Sequence, residues 1–133
     1  MIDIESALFT EVAAALREKF EGIYVTGEYN PVPPKFPAVM FSEMDNTPYS
    51  RSKTQDSLEN HAFVMYEADV FSNLSTGRKR QCRAIVEVID EIMLDLGFDR
   101  TFFNPLPNQD TTIYRIKARY SAVVSADGVI YRN

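Results

Sequence analysis

The sequence predicts an α+β fold: one mostly antiparallel sheet with two amphipathic helices packed on one face, in the order α-β-β-β-α-β-β-β. Three features lead to this expectation. Residues 3–20 and 75–96 repeat apolar side chains three and four apart, the period of a helix with one buried face. Residues 111–124 alternate apolar and polar, the period of an antiparallel strand with one wet face. Two helices interleaved with runs of strands pack most economically as a layer on a single sheet.

The first helix is expected over 3–20. Asp3 is placed to cap it, Glu5 complements the dipole in the first turn, and Gly22 stops it. Leu8, Val12, Ala15, Leu16 and Phe20 form its apolar stripe. Two short strands follow, near 23–28 and 38–44, separated by Pro31, Pro33, Pro34 and Pro37. Proline fixes φ and lacks an N–H, so this connection is extended and stays out of a central ladder. Residues 46–60 are polar and turn-forming, which predicts a flexible surface loop. Residues 61–73 read as a long strand. Ala62, Val64, Tyr66, Ala68 and Val70 make one wholly apolar face, while the other passes from Phe63 and Met65 to the acidic Glu67 and Asp69.

The second helix is expected over 75–96, capped by Ser75 or Thr76 and ended by Gly97. Cys82, Ile85, Val86, Ile89, Ile92, Met93 and Leu96 face inward. Its charges run against the helix dipole. Arg78, Lys79, Arg80 and Arg83 crowd the N-terminal end, and Glu87, Asp90, Glu91 and Asp95 lie towards the C-terminal end. Each such charge costs about 0.3–1 kcal/mol in an isolated helix. Helix stability did not select this arrangement, which leaves open a solvated helix start, a contact with a protein or nucleic-acid partner, and an anion held at the helix N-terminus. "RTFFNPLP" and "TTIYRIKARYSAVV" are then two strands joined at "NQD". The second sets Ile116, Ala118, Tyr120, Ala122 and Val124 inward, opposed by Arg115, Lys117, Arg119 and Ser121. "ADG" marks a hairpin that returns the chain as "VIYR".

With 133 residues, 45% of them hydrophobic and 25% charged, residues 1–133 read as a single soluble domain with its own core. The net charge of −5 weighs against a general polyanion binder, which carries a basic footprint. Cys82 is the only cysteine, so no internal disulfide forms. The N-terminus lacks the pattern of a signal peptide, and no apolar run approaches the ~18 residues needed to span a bilayer. The expected setting is the cytosol at synthesis, with no membrane partner.

The stretch "SNLSTGRKRQCRAIV" invites a phosphate-binding reading. It fails as a P-loop, because Gly77 runs directly into Arg78-Lys79-Arg80 with no second glycine and no hydroxyl after the lysine. A dinucleotide fingerprint is missing too, and no cofactor is implied. His61, the only histidine, opens a strand beside a polar loop, which suits packing better than a triad. Glu67 and Asp69 share a strand face but have no nucleophile or second base nearby in the pattern, so neither acid–base catalysis nor a metal site emerges. Cys82 sits on an apolar stripe as a small core residue. The expectation is a protein that is not an enzyme. Glu67 and Asp69 oppose Arg115, Lys117 and Arg119 in sign. On opposite sides of a subunit they would pair head to tail between copies; on neighbouring strands they would pair within one sheet. The residues leave both open.

The whole layout resembles a known family. It combines an amphipathic first helix, "PPKFPAVMF", a polar loop, the strand "FVMYEADVFS", the helix "GRKRQCRAIVEVIDEIMLDLGF" and a terminal hairpin ending in "VIYR". This resembles, over nearly the full length, the small tail terminator (tail completion) proteins of long-tailed bacteriophages and prophages, with related head–tail connector proteins. The resemblance implies a virion assembly protein without catalytic residues. It would form a homo-oligomeric, hexameric ring that caps the tail tube, meets head-connector proteins and lets DNA pass through its lumen. The protein would stand in the virion tail or neck after assembly in the host cytoplasm. Loop 46–60 would order against tube or connector subunits, and Arg78–Arg83 would meet an acidic neighbour. Two alternatives stay open: a head-closure or other neck connector, and a small non-enzymatic ligand-binding domain with a concave apolar pocket.

Overall fold

Six strands and two helices make up residues 1–48 and 61–131, the part of the chain described by the computed structural model. In chain order they are α1 (Glu5–Lys19), β1 (Tyr24–Thr26), β2 (Ala38–Pro48), β3 (His61–Ser72), α2 (Arg78–Leu96), β4 (Asp99–Leu106), β5 (Tyr114–Ser125) and β6 (Ile130–Tyr131). The sheet order is β1-β2-β3-β5-β4, and β6 extends the β4 edge by pairing with Val123 and Val124 of β5. Every pairing is antiparallel except β1 with β2. Parallel neighbours need a connection that travels back along the sheet. The proline-rich segment 27–37 supplies it, and β1 accordingly sits at an edge.

Both helices pack on the same sheet face. The inward row of β3 (Ala62, Val64, Tyr66, Ala68, Val70) lies beside that of β5 (Ile116, Ala118, Tyr120, Ala122, Val124) in one buried cluster. Leu8, Val12 and Leu16 of α1, with Cys82, Ile85, Ile89 and Met93 of α2, complete it. The alanines have a purpose. Tyr66 and Tyr120 are register partners, and Ala68 opposite Ala118 leaves room beside the two large rings. Tyr66 stacks on Phe41 at 5.6 Å and meets the edge of Phe98 at 5.8 Å.

Several boundaries differ from the expectations. α1 begins at Glu5 with Ile4 in the cap position, and Asp3 acts one step earlier by accepting the Glu5 N–H at 3.1 Å. α2 begins at Arg78, and Ser75 and Thr76 stay in the preceding turn without capping it. Gly77 holds the cap position at φ 83, a conformation glycine enters without the penalty of a Cβ. At the other end Gly97 (φ 107) closes α2 as expected. Its N–H bonds to Leu94 and that of Phe98 to Met93, which turns Phe98 into the core.

Residues 46–48 are strand rather than loop: Asn46, Thr47 and Pro48 pair with Val64, Phe63 and Ala62. A bulge at Met44 shifts the register between Glu43 and Asp45, so the turn-forming composition there marks an irregular strand end. The remainder of the predicted loop, 49–60, lies outside the described residues. The opposite face of the sheet carries no helix among the described residues. At one end it holds a small cluster of Ala38, Met40 and Phe71 under Tyr24, Phe36 and Ile113.

Candidate functional site

The five charged residues of β3 and β5 are neighbours on the helix-free face. Register places Glu67 opposite Arg119, Asp69 opposite Lys117 and Phe71 opposite Arg115. Arg115 reaches diagonally to clasp Asp69 with two bonds, Nε to Oδ1 at 2.8 Å and Nη2 to Oδ2 at 2.6 Å. Lys117 Nζ lies 3.1 Å from Glu67 Oε1, and Arg119 Nε donates to Glu67 Oε2 at 2.9 Å. Arg115 also lies over Phe71 and Arg119 over Phe102, at 5.4 and 4.8 Å from the ring centres. Burial pushes the Glu67 pKa up, but the bonds and charges of Arg119 and Lys117 outweigh it and leave the carboxyl below its ordinary value. The Asp69 clasp raises the Arg115 pKa. These charges therefore pair within one sheet. A carboxylate with both oxygens held by fixed cations is an anchor for the strands, not a free acid or base.

The basic cluster of α2 divides. Arg78 Nη1 donates to the carbonyls of Thr112 and Thr111, tying the start of the helix to the loop before β5. Arg83 and Arg100 both lie against the Phe103 ring, at 5.3 and 5.6 Å, and Arg100 bonds Asp90 at 2.9 Å. Lys79 and Arg80 are exposed, and neither has an ion-pair partner among the described residues. Towards the other end of α2, Asp90 is engaged by Arg100 and the Tyr120 hydroxyl, while Glu87 and Glu91 are exposed.

Two further chemistry-bearing side chains, Cys82 and His61, lie away from these charges. Cys82 is buried, its Sγ facing the carbonyls of Val70 and Tyr114, and burial pushes its thiol up to about 12. His61 is half-buried at the start of β3, opposite Ser125. Among the described residues no three His, Cys, Asp or Glu side chains group to hold a metal ion, and no helix is long and apolar enough to cross a membrane.

Two concavities were not visible in the sequence. A groove of about 700 Å³ runs between α1 and the C-terminal half of α2, with Ala15, Val88 and Ile92 among its walls and Glu11, Glu91 and Asp95 around it. A recess of about 550 Å³ lies between the proline-rich segment and the loop before β5, lined by Tyr29, Pro33, Phe36, Phe71, Ile113 and Arg115. Both arise from segments far apart in the chain. The one available signal for the groove was Ala15 and Ile92, the outer members of their apolar stripes. Comparison of the chain with protein-family models and with curated proteins finds no match.

Proposed function

We propose that this chain is a non-catalytic virion assembly protein, a tail terminator of a long-tailed bacteriophage or prophage. In this reading it closes into a homo-oligomeric ring, six-membered by the resemblance, that caps the tail tube and joins it to head-connector proteins in the tail or neck. One observation carries the reading: exposed Lys79 and Arg80 project from one end of a helix layer that exposes Glu11, Glu18, Glu87 and Glu91 elsewhere, beside Arg17, Lys19 and Arg83. Two different patches on one subunit that complement each other make a heterologous contact, and such a contact closes into a ring when the rotation between neighbours closes. The net charge of −5 suits a lumen through which DNA passes without adhering.

Native mass spectrometry across a concentration series, with negative-stain images of the largest species, tests it. Closed rings with an axial hole are the expected result, and six subunits favour a terminator over a head-closure or other neck role. A strict monomer throughout would remove the ring. The recess beneath Tyr29 and Phe36 then favours a second reading, a small ligand-binding α+β domain, because it offers apolar walls with Arg115 and Asp110 alongside.

A further inference from the structure

We infer that the groove between α1 and the C-terminal half of α2 receives the Lys79–Arg80 end of α2 from a second copy of this chain. The inference rests on the proposed ring and assigns the two faces of its contact. Charge complementarity is the first argument. The groove carries exposed Glu11 and Glu91 beside Lys19, whereas the opposite end of α2 presents Lys79 and Arg80 to solvent.

The helix dipole is the second. α2 has no acidic residue in its first turn and no basic residue in its last, so its own charges oppose the dipole at both ends. Docking reverses this. Glu11 and Glu91 of one copy stand at the N-terminus of the neighbour's α2, where anions are favoured. The neighbour's Lys79 and Arg80 stand beside the C-terminal half of the first α2, where cations are favoured. The arrangement that is unfavourable in one subunit becomes favourable between two.

Shape agrees. Val88 and Ile92 are only half-buried, and Leu94 at the groove is 43% exposed, so an apolar surface is available beneath the charges. Arg80 and Glu91 are eleven positions apart on α2, about 16 Å along its axis. One subunit can therefore engage a different neighbour at each patch. A two-fold pairing of α2 with itself satisfies the same charges, with Arg80 against Asp95 and Arg83 against Glu91. Its centre falls near residue 87, however, and sets two Glu87 side chains against each other. That like-charge contact favours the head-to-tail arrangement.

The test compares the wild type with Lys79→Glu/Arg80→Glu and with Glu11→Lys/Glu91→Lys, by native mass spectrometry and sedimentation at low and high salt. All four positions are exposed, and circular dichroism with thermal melting of each variant checks the fold. Each double reversal is expected to weaken self-association by roughly tenfold or more, since two exposed pairs turn from attractive to repulsive. Mixing the two variants is expected to restore assembly, because each then presents the sign the other needs, and the mixed species should exceed two copies. Restoration that stops at two copies would assign a two-fold contact and overturn the head-to-tail one. Rings indifferent to both variants would overturn this contact while leaving the ring reading intact. A wild type that is monomeric at every concentration would overturn both.

Discussion

Tyr66 is buried to 0% exposure, and its hydroxyl donates to Glu43 Oε2 at 2.6 Å. Burial first, then the bond and charge of Glu43, drive its pKa upward, so the phenol remains a donor. The two partners are unequal in consequence. Tyr66→Phe removes both the donor and its need for a partner, and is expected to cost about 0.5–1.5 kcal/mol. Glu43→Ala leaves a buried hydroxyl orphaned, also loses the bond that its Oε1 accepts from Asn46 Nδ2 at 3.0 Å, and is expected to cost about 1–3 kcal/mol, with the double variant recovering the part due to the orphaned hydroxyl. Denaturant titration of the three variants measures this; equal and additive losses would sink the account. At Glu67 the effect appears in pH. Its folded pKa lies below the ordinary 4.5, so the unfolded chain binds the proton more readily there. The pairing thus stabilises above the unfolded pKa, and that stability is lost as pH falls from about 4.5 through the lower folded value. Glu67→Gln should flatten the acid limb of a stability–pH curve, and an unchanged limb would refute the role of this carboxylate.

At the scale of the element, α2 sets its own charges against its dipole, and the proposed contact would reverse that. Arg80 lies in the first turn, where a cation opposes the dipole and no partner among the described residues offsets it. Arg80→Glu is therefore expected to stabilise the isolated subunit by about 0.3–1 kcal/mol while weakening self-association. Thermal melting of dilute monomer beside a sedimentation series measures both signs at once. A parallel loss of melting temperature and association would instead mark Arg80 as a fold residue. Gly97 shows the opposite case, a position decided by backbone alone. At φ 107 a side chain is strained, and Gly97→Ala is expected to cost about 1 kcal/mol or more in equilibrium unfolding.

For the whole molecule, the pairing of β3 with β5 is the central event. It forms the floor beneath α2, beside the β1–β2 floor of α1, and on the reverse side closes the Glu67–Asp69–Arg115–Lys117–Arg119 ladder. Breaking one member leaves its neighbours charged and poorly solvated. Asp69→Asn, which loses the clasp on Arg115, is expected to cost roughly 2–4 kcal/mol without altering the Lys79–Arg80 surface. A folded Asp69→Asn subunit should still assemble. Loss of assembly with the fold retained would move the ladder from the sheet to the contact.

The fold class was legible because periodicity is local. The apolar rows of α1, α2, β3 and β5 need only neighbouring residues to declare which face is buried, and Gly97 and the "ADG" turn declare their own backbone needs. What the chain could not declare was who stands beside whom. Glu67 and Arg119 are 52 positions apart, and only strand order makes them partners rather than two faces of a subunit. The same holds for the division of the basic cluster, where Arg78 finds a loop carbonyl, Arg83 finds Phe103, and Lys79 and Arg80 find neither. Boundaries slipped for a related reason. Gly77 took the cap from Ser75 and Thr76 through backbone geometry, and β2 ran on through Pro48 because β3 was there to receive it. Local pattern determined which residues turn inward. Long-range pairing, which no local pattern encodes, decided which charges are neutralised inside the subunit and which remain on its surface.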